Sequence, residues 1–224
     1  MDALDIFFNL DVLRRAFPML VRGLGNTFLL GVTAIVFGSV LGLLLAMTRL
    51  YSPKPFRYMA IVYIDLIRAI PVLVLLILIY YALPFAGLTL NSFTAAAAAL
   101  TMVLAAFTAE VMRAGLQAIP KGQFEAAAAL GLGFWVAMRK VVVPQAIRIV
   151  IPPHASNCVS VIKDTALASV VAMSDLLKQA TDAQALFANP TPLIGAAILY
   201  IVILLPLVRL TGWLEKRAQR AYQH

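Results

Sequence analysis

Residues 69–109 read AIPVLVLLILIYYALPFAGLTLNSFTAAAAALTMVLAAFTA, without one charged side chain. A helix needs about 20 apolar residues to cross the hydrocarbon of a bilayer, so this run holds most of two crossings. LPFAGLTLNS (83–92) interrupts it with Pro84, Gly87 and Asn91, which favour a short turn between them. Two other stretches, Gly23–Thr48 and Ala183–Val208, are also free of charge and long enough for one crossing each.

The rest of the chain agrees with this reading. Of 224 residues, 62% are hydrophobic and 12% charged, with mean hydropathy +0.93. A soluble domain is nearer half apolar and a quarter charged, and a water-soluble fold of this composition would expose large apolar patches. The fold class expected is therefore an all-α integral membrane protein with about five transmembrane helices, near 18–49, 57–82, 92–115, 147–172 and 190–211. The N-terminus, MDALDIFFNLDVLRRAF, lacks the basic region of a cleaved signal. Leu4, Phe7, Phe8 and the 10–13 stretch fit an amphipathic segment over 1–17 lying on the membrane surface. Residues 18–212 then form the membrane domain and 213–224 a basic tail.

Basic residues orient the spans. Arg49, Lys54 and Arg57 flank the first connection; Lys121, Arg139, Lys140 and Arg148 lie in or beside the third; Arg209, Lys216, Arg217 and Arg220 crowd the end. Lys and Arg remain on the cytoplasmic side, so the N-terminus is expected outside and the C-terminus inside. Arg14, Arg15 and Arg22 are the exception. The net charge of +8 belongs to these span ends, and no nucleic-acid partner is expected. A lone cysteine, Cys158, cannot form an internal disulfide, and His154 and His224 are too far apart in sequence for a metal-ligand spacing.

The 121–144 loop is long for a connection without structure. Its sequence KGQFEAAAALGLG (121–133) is a helix-forming alanine run bracketed by glycines, followed by FWVAMRKVVV (134–143) and Pro144, read as a second short helix. Glu125 suits the positive end of the first helix. A helix faced with alanine lets another protein approach its backbone closely, with Phe124, Phe134 and Trp135 as anchors. The same residues also fit a helix lying in the headgroups.

This loop resembles the EAA motif of the membrane subunits of binding-protein-dependent ABC importers. Glu125-Ala126-Ala127, Gly131, Val141, Val143 and Pro144 stand at that motif's spacing. Other stretches resemble the polar amino acid permeases among them. They are Gly23-Leu-Gly-Asn-Thr27, Arg68-Ala-Ile-Pro71, Glu110-Val-Met-Arg113-Ala-Gly115, Gly122-Gln123-Phe124-Glu125, and Pro153…Asn157…Lys163-Asp164-Thr165-Ala166-Leu167. Ala166 in place of Ser and Ala69-Ile70 in place of Gly-Thr are departures.

The resemblance implies a type I ABC importer transmembrane domain whose 121–144 loop is a coupling helix. Gly122, Gln123, Phe124, Glu125, Ala126, Ala127, Gly131 and Pro144 would meet the ATPase. The implied partners are two ABC ATPase subunits, a second permease copy or sister, a periplasmic or lipid-anchored amino-acid-binding protein and membrane lipid. No Gly-x-x-x-x-Gly-Lys-Ser/Thr pattern occurs here. ATP and magnesium therefore belong to the partner ATPases, and no cofactor, metal or catalytic residue is expected on this chain.

Charges within the spans point to a path. Fourteen uncharged residues separate Arg148 from Lys163, too few to cross, so Lys163 and Asp164 lie at membrane depth if this segment spans. Such residues are costly unless paired or facing water. Asn157, Ser160, Lys163 and Asp164 are read as lining the substrate path or gate, with Arg68 from the second span. Asp65–Arg68 and Glu110–Arg113 each stand three apart on one helical face. Glu110–Arg113 reads as a structural pair; for Asp65–Arg68, packing and path both remain open. An ion-gradient-driven carrier or channel would also explain buried charge, but such carriers usually show repeated halves, and none is visible here.

Overall fold

The computed structural model describes residues 7–220, and among them every regular element is helical. Helix α1 (Leu10–Tyr51) opens at Asn9, whose side chain accepts the Val12 N–H at 3.0 Å. Its 42 residues, about 63 Å at 1.5 Å per residue, carry Pro18 in the interior. No break separates the expected surface segment from the first span; residues 1–6 lie outside the described residues. Helices α2 (Lys54–Ala69) and α3 (Val72–Ile77) follow, then a π turn over Leu78–Ala82 and a 3-10 turn over Leu83–Ala86. Helix α4 (Ser92–Gln117) precedes α5 (Lys121–Ala129) and α6 (Phe134–Ala137). A π turn over Met138–Val142 leads into α7 (Val143–Asp164), followed by a 3-10 stretch over Thr165–Val171. Helices α8 (Leu176–Phe187) and α9 (Thr191–Arg220) complete the chain.

Three helices, α1, α4 and α9, are long and apolar enough to cross a bilayer, and the pair α2–α3 makes a fourth crossing only as a bent unit. The expected span over 57–82 is a bent one. The chain turns by 106° between its halves, because Pro71 has no N–H to donate and holds Ile70 in an extended conformation (φ −88°, ψ 130°). Helix α7 has the length of a fifth span but carries Arg148, Lys163 and Asp164. It ends at Asp164, eight residues before the expected boundary of 172. The 134–143 stretch is not a separate helix ended by Pro144. Pro144 sits in the first turn of α7, and the π turn just before it absorbs the proline without breaking the rod. The same device precedes Pro84.

Helix α4 is the hub of the bundle, with Ala95, Ala96, Ala99, Leu104 and Ala105 almost wholly buried. Small residues bring α1 against it at four-residue intervals, Ala34, Gly38, Gly42 and Ala46. A Cβ at Gly42 would lie 2.5 Å from Thr108 Cβ and 2.8 Å from the Ala105 carbonyl oxygen, and one at Gly38 2.8 Å from Leu104 Cβ. Gly42→Val is therefore expected to separate α1 from α4, costing about 3 kcal/mol or more, whereas Gly25→Ala, which meets nothing within 4 Å, is neutral. Detergent melting of the two variants checks this; equal melting would contradict the packing.

Helix α8, read from sequence only as a loop, is strapped to the early part of α1. Thr27 Oγ1 accepts the Leu176 N–H at 3.0 Å, Asn26 Nδ2 donates to the Ser174 carbonyl at 2.8 Å, and a Cβ on Gly23 would lie 2.7 Å from the Asp175 carbonyl oxygen. This gives the Gly23–Thr27 motif its physical role: Gly23 admits the α8 backbone and Thr27 satisfies its end. Asp175 caps α8, accepting the Lys178 N–H at 2.9 Å through Oδ1, while Oδ2 is buried with no partner among the described residues. Burial pushes this carboxyl, which lies outside the spans, up to about 6. A raised carboxyl favours the protonated folded form, so α8 packs more firmly as pH falls through about 6 and less firmly above it. Protection of α8 amides should rise by about 1 kcal/mol between pH 7.5 and 5, and Asp175→Asn should abolish the pH dependence in hydrogen exchange.

Candidate coupling helix and translocation cavity

Helix α5 begins at Lys121 after Pro120, so Glu125 lies past the first turn and the expected dipole role does not hold. Gly131, at φ +71°, closes the helix in the left-handed region, donating to the Ala128 carbonyl at 2.9 Å, and Leu132 donates to Ala127 at 3.0 Å. Gly122, Gln123, Phe124, Glu125 and Ala126 are all exposed, and only Ala127 turns inward. Leu130 is 79% exposed and Trp135 82%, the latter edge-on to Phe134 at 5.4 Å. The loop is held to the bundle at its root: Gln145 Nε2 donates to Gln123 Oε1 at 3.1 Å, and Ile119, Val142 and Ala146 form a small core. A rooted helix with an unburied apolar tip is a surface built to be covered.

Beside this loop, three helices converge on Glu110. Arg49 Nη1 from α1 donates to Oε2 at 2.8 Å; Arg113, on α4 itself, donates Nε to Oε1 at 3.2 Å and adds a second contact through Nη2; Arg68 Nη1 from α2 stands 3.8 Å away. The expected Glu110–Arg113 pair is present. The Asp65–Arg68 pair is not: among the described residues Asp65 makes no ion pair, and Arg68 turns toward Glu110 and lies over the Phe107 ring at 5.6 Å. Spacing placed the two side chains near each other but did not say which faced α4. Arg49, a partner no local pattern announces, is the residue sequence reasoning missed.

Further along α7, Asn157, Ser160 and Asp164 line one cavity of about 310 Å³ with Val72, Val103, Leu104, Phe107 and Val161. Spacings of three and four put those polar groups on a single face, and the break at Pro71 delivers Val72 to the opposite wall. Lys163, one position off that face, is exposed and does not line the cavity. Arg68 reaches the site only through the Phe107 ring. The cavity thus offers a carboxyl, an amide and a hydroxyl against apolar walls, near the lower size of small-ligand sites. His154, unsuspected from sequence, ties the helices behind it, 3.2 Å from Ser39 Oγ, 3.3 Å from Thr108 Oγ1 and 3.7 Å from Cys158 Sγ. Among the described residues no cluster of three metal-ligating side chains occurs.

Residues 38–220 match the family described as binding-protein-dependent transport system inner membrane component. The chain is 37% identical over 219 residues to the "Probable glutamine ABC transporter permease protein GlnM" of Bacillus subtilis (strain 168), covering 96% of this chain and all of the relative. It is 33% identical over 213 residues to the L-cystine transport system permease protein TcyB of the same organism, covering 94% and 91%. A solved structure described as an amino acid ABC transporter with histidines superposes with a TM-score of 0.86 at 36% identity, over 92% of this chain and 96% of that one. An inward-facing MetNI methionine ABC transporter shares the fold, with a TM-score of 0.66 at 21% identity, over 97% and 99%. With its bent second span, its exposed 121–129 helix and these matches, the chain belongs to the binding-protein-dependent transport system inner membrane components, the permease subunits of ABC importers.

Proposed function

We propose that the chain carries a polar L-amino acid or a close derivative inward across the bacterial inner membrane. It pairs with a second copy or a sister permease, rests on two ABC ATPases that bind ATP and magnesium, and receives substrate from an external binding protein. In this reading the N-terminus is outside, and Gly122 to Ala127, Gly131 and Pro144 form the coupling surface. The observation that carries the proposal is the exposed α5 tip, followed after the Gly131 turn by a helical backbone that runs from Phe134 to the cavity wall holding Asn157, Ser160 and Asp164. The relatives named for glutamine and cystine, and the structural neighbour named for amino acids, support the substrate class.

A zwitterion suits such a cavity, because Asp164 would accept from its ammonium while the Asn157 amide donates to its carboxylate. Lys163 and Arg68 stand outside the lining and would act on entry or on gating. Asp164→Asn and Asn157→Ala are expected to lower amino acid uptake by about tenfold or more, with the ATPase still bound. Uptake assays on vesicles holding the whole complex decide it, and native uptake by both variants would overturn the substrate path. Transport by the purified chain alone under an ion gradient would overturn the ATP-driven assignment itself.

A further inference from the structure

Between the start of α7 and the end of α9 runs a groove of about 480 Å³, which shares no lining residue with the cavity at Asn157, Ser160 and Asp164. Its floor is apolar, made by Ile151, Pro152, Leu214 and Ala218, and two guanidinium groups, Arg148 and Arg217, stand along it. Neither forms an ion pair among the described residues. The nearest acid on α9, Glu215, accepts from Ser156 Oγ at 3.2 Å instead. Arg217 is held over the Trp213 ring at 5.2 Å, and Trp213 is half exposed, as aromatic residues are at the boundary between headgroups and hydrocarbon. The outward face of α9 is unburied, with Ile198, Ile201, Val202 and Leu205 exposed.

We propose that this groove is a clamp for one anionic phospholipid, its phosphate between Arg148 and Arg217 and an acyl chain along Ile151, Pro152 and Leu214. Arginine matches phosphate oxygens two at a time, and basic pockets between helices on the cytoplasmic side suit anionic headgroups. A second copy of the chain fits less well, since the carboxylates on α7 and α9, Asp164 and Glu215, are placed elsewhere. The clamp rests on the proposed orientation, which puts both arginines in the cytoplasmic leaflet.

The test uses the complete complex with its ATPases, reconstituted in vesicles of phosphatidylcholine with phosphatidylglycerol, then extracted and analysed for retained lipid by mass spectrometry. Arg148→Gln with Arg217→Gln is expected to reduce retained phosphatidylglycerol by about tenfold, with phosphatidylcholine unchanged and the ATPases still bound. The charge-keeping pair Arg148→Lys with Arg217→Lys is expected to retain phosphatidylglycerol at a level between the native and Gln chains, since lysine keeps the charge but not the paired contact. Equal phosphatidylglycerol in native and Gln variants overturns the clamp, as does equal loss in the Lys variant, or displacement by inorganic phosphate as effective as that by phosphatidylglycerol. Cross-linking of Leu214→Cys between two permease copies would also overturn it, by showing the groove to be a subunit contact. An impermeant thiol reagent applied to Ala218→Cys in a Cys158→Ser background separates the two premises. Labelling from outside overturns the orientation, whereas labelling from inside with unchanged lipid retention overturns the clamp alone.

Discussion

A Glu125→Lys chain is expected to fold, reach the membrane and fail to hold its ATPase. Glu125 is exposed on α5 and makes no hydrogen bond or ion pair among the described residues, so replacing it removes no internal polar contact. On the docking surface proposed for α5, the ATPase would meet an ammonium where the native chain offers a carboxylate. Reversal of a central interfacial charge costs about 2–5 kcal/mol, or roughly 30- to 1,000-fold in affinity. Glu125 also adds a negative charge to a loop that holds Lys121, Arg139 and Lys140, and the reversal worsens that imbalance. Co-purification through a tag on this chain should lose the ATPase while the melting temperature in detergent is unchanged. An ATPase retained at native stoichiometry would remove Glu125 from the docking surface.

Glu110→Gln is expected to act in the opposite way, on the fold and not on docking. The carboxylate holds guanidinium groups from α1, α2 and α4, and without it three cations face one another at a partly buried point. Breaking such an arrangement from one side costs about 3 kcal/mol, and more than the loss of Arg68 alone, whose contact is 3.8 Å long. Arg113→Gln in the same chain removes one of the stranded charges, so the double variant should melt above Glu110→Gln. A double variant that melts lower, or a Glu110→Gln chain that melts like the native one, would mean that the cluster is solvated and holds nothing together.

What the residues announced in advance follows the range of each interaction. The charge-free runs located α1, α4 and α9, because crossing a bilayer is a demand each segment meets alone. The glycine-bracketed alanine run marked α5, because its ending at Gly131 is local chemistry. Helix α8 stayed hidden: LLKQATDAQALF is mixed in character, and its stability depends on Thr27 and Asn26, about 150 positions away. The bend at Pro71 is set by one residue inside a segment whose length and hydropathy read as one span over 57–82, and neither quantity carries a change of direction. For the same reason Arg68 was paired with its sequence neighbour. Only the packing of α2 on α4 turns it to Glu110.

From Phe134 to Asp164 the chain never leaves a helical conformation. Trp135 and Asn157 are therefore two points on one strut, about 33 Å apart at 1.5 Å per residue. Thrust applied at the aromatic end arrives at the polar end with no joint to take it up, apart from the softening that Pro152 and Pro153 introduce midway. With the cavity and the docking loop as proposed, the solute chamber and the engine contact would be opposite ends of a single mechanical part.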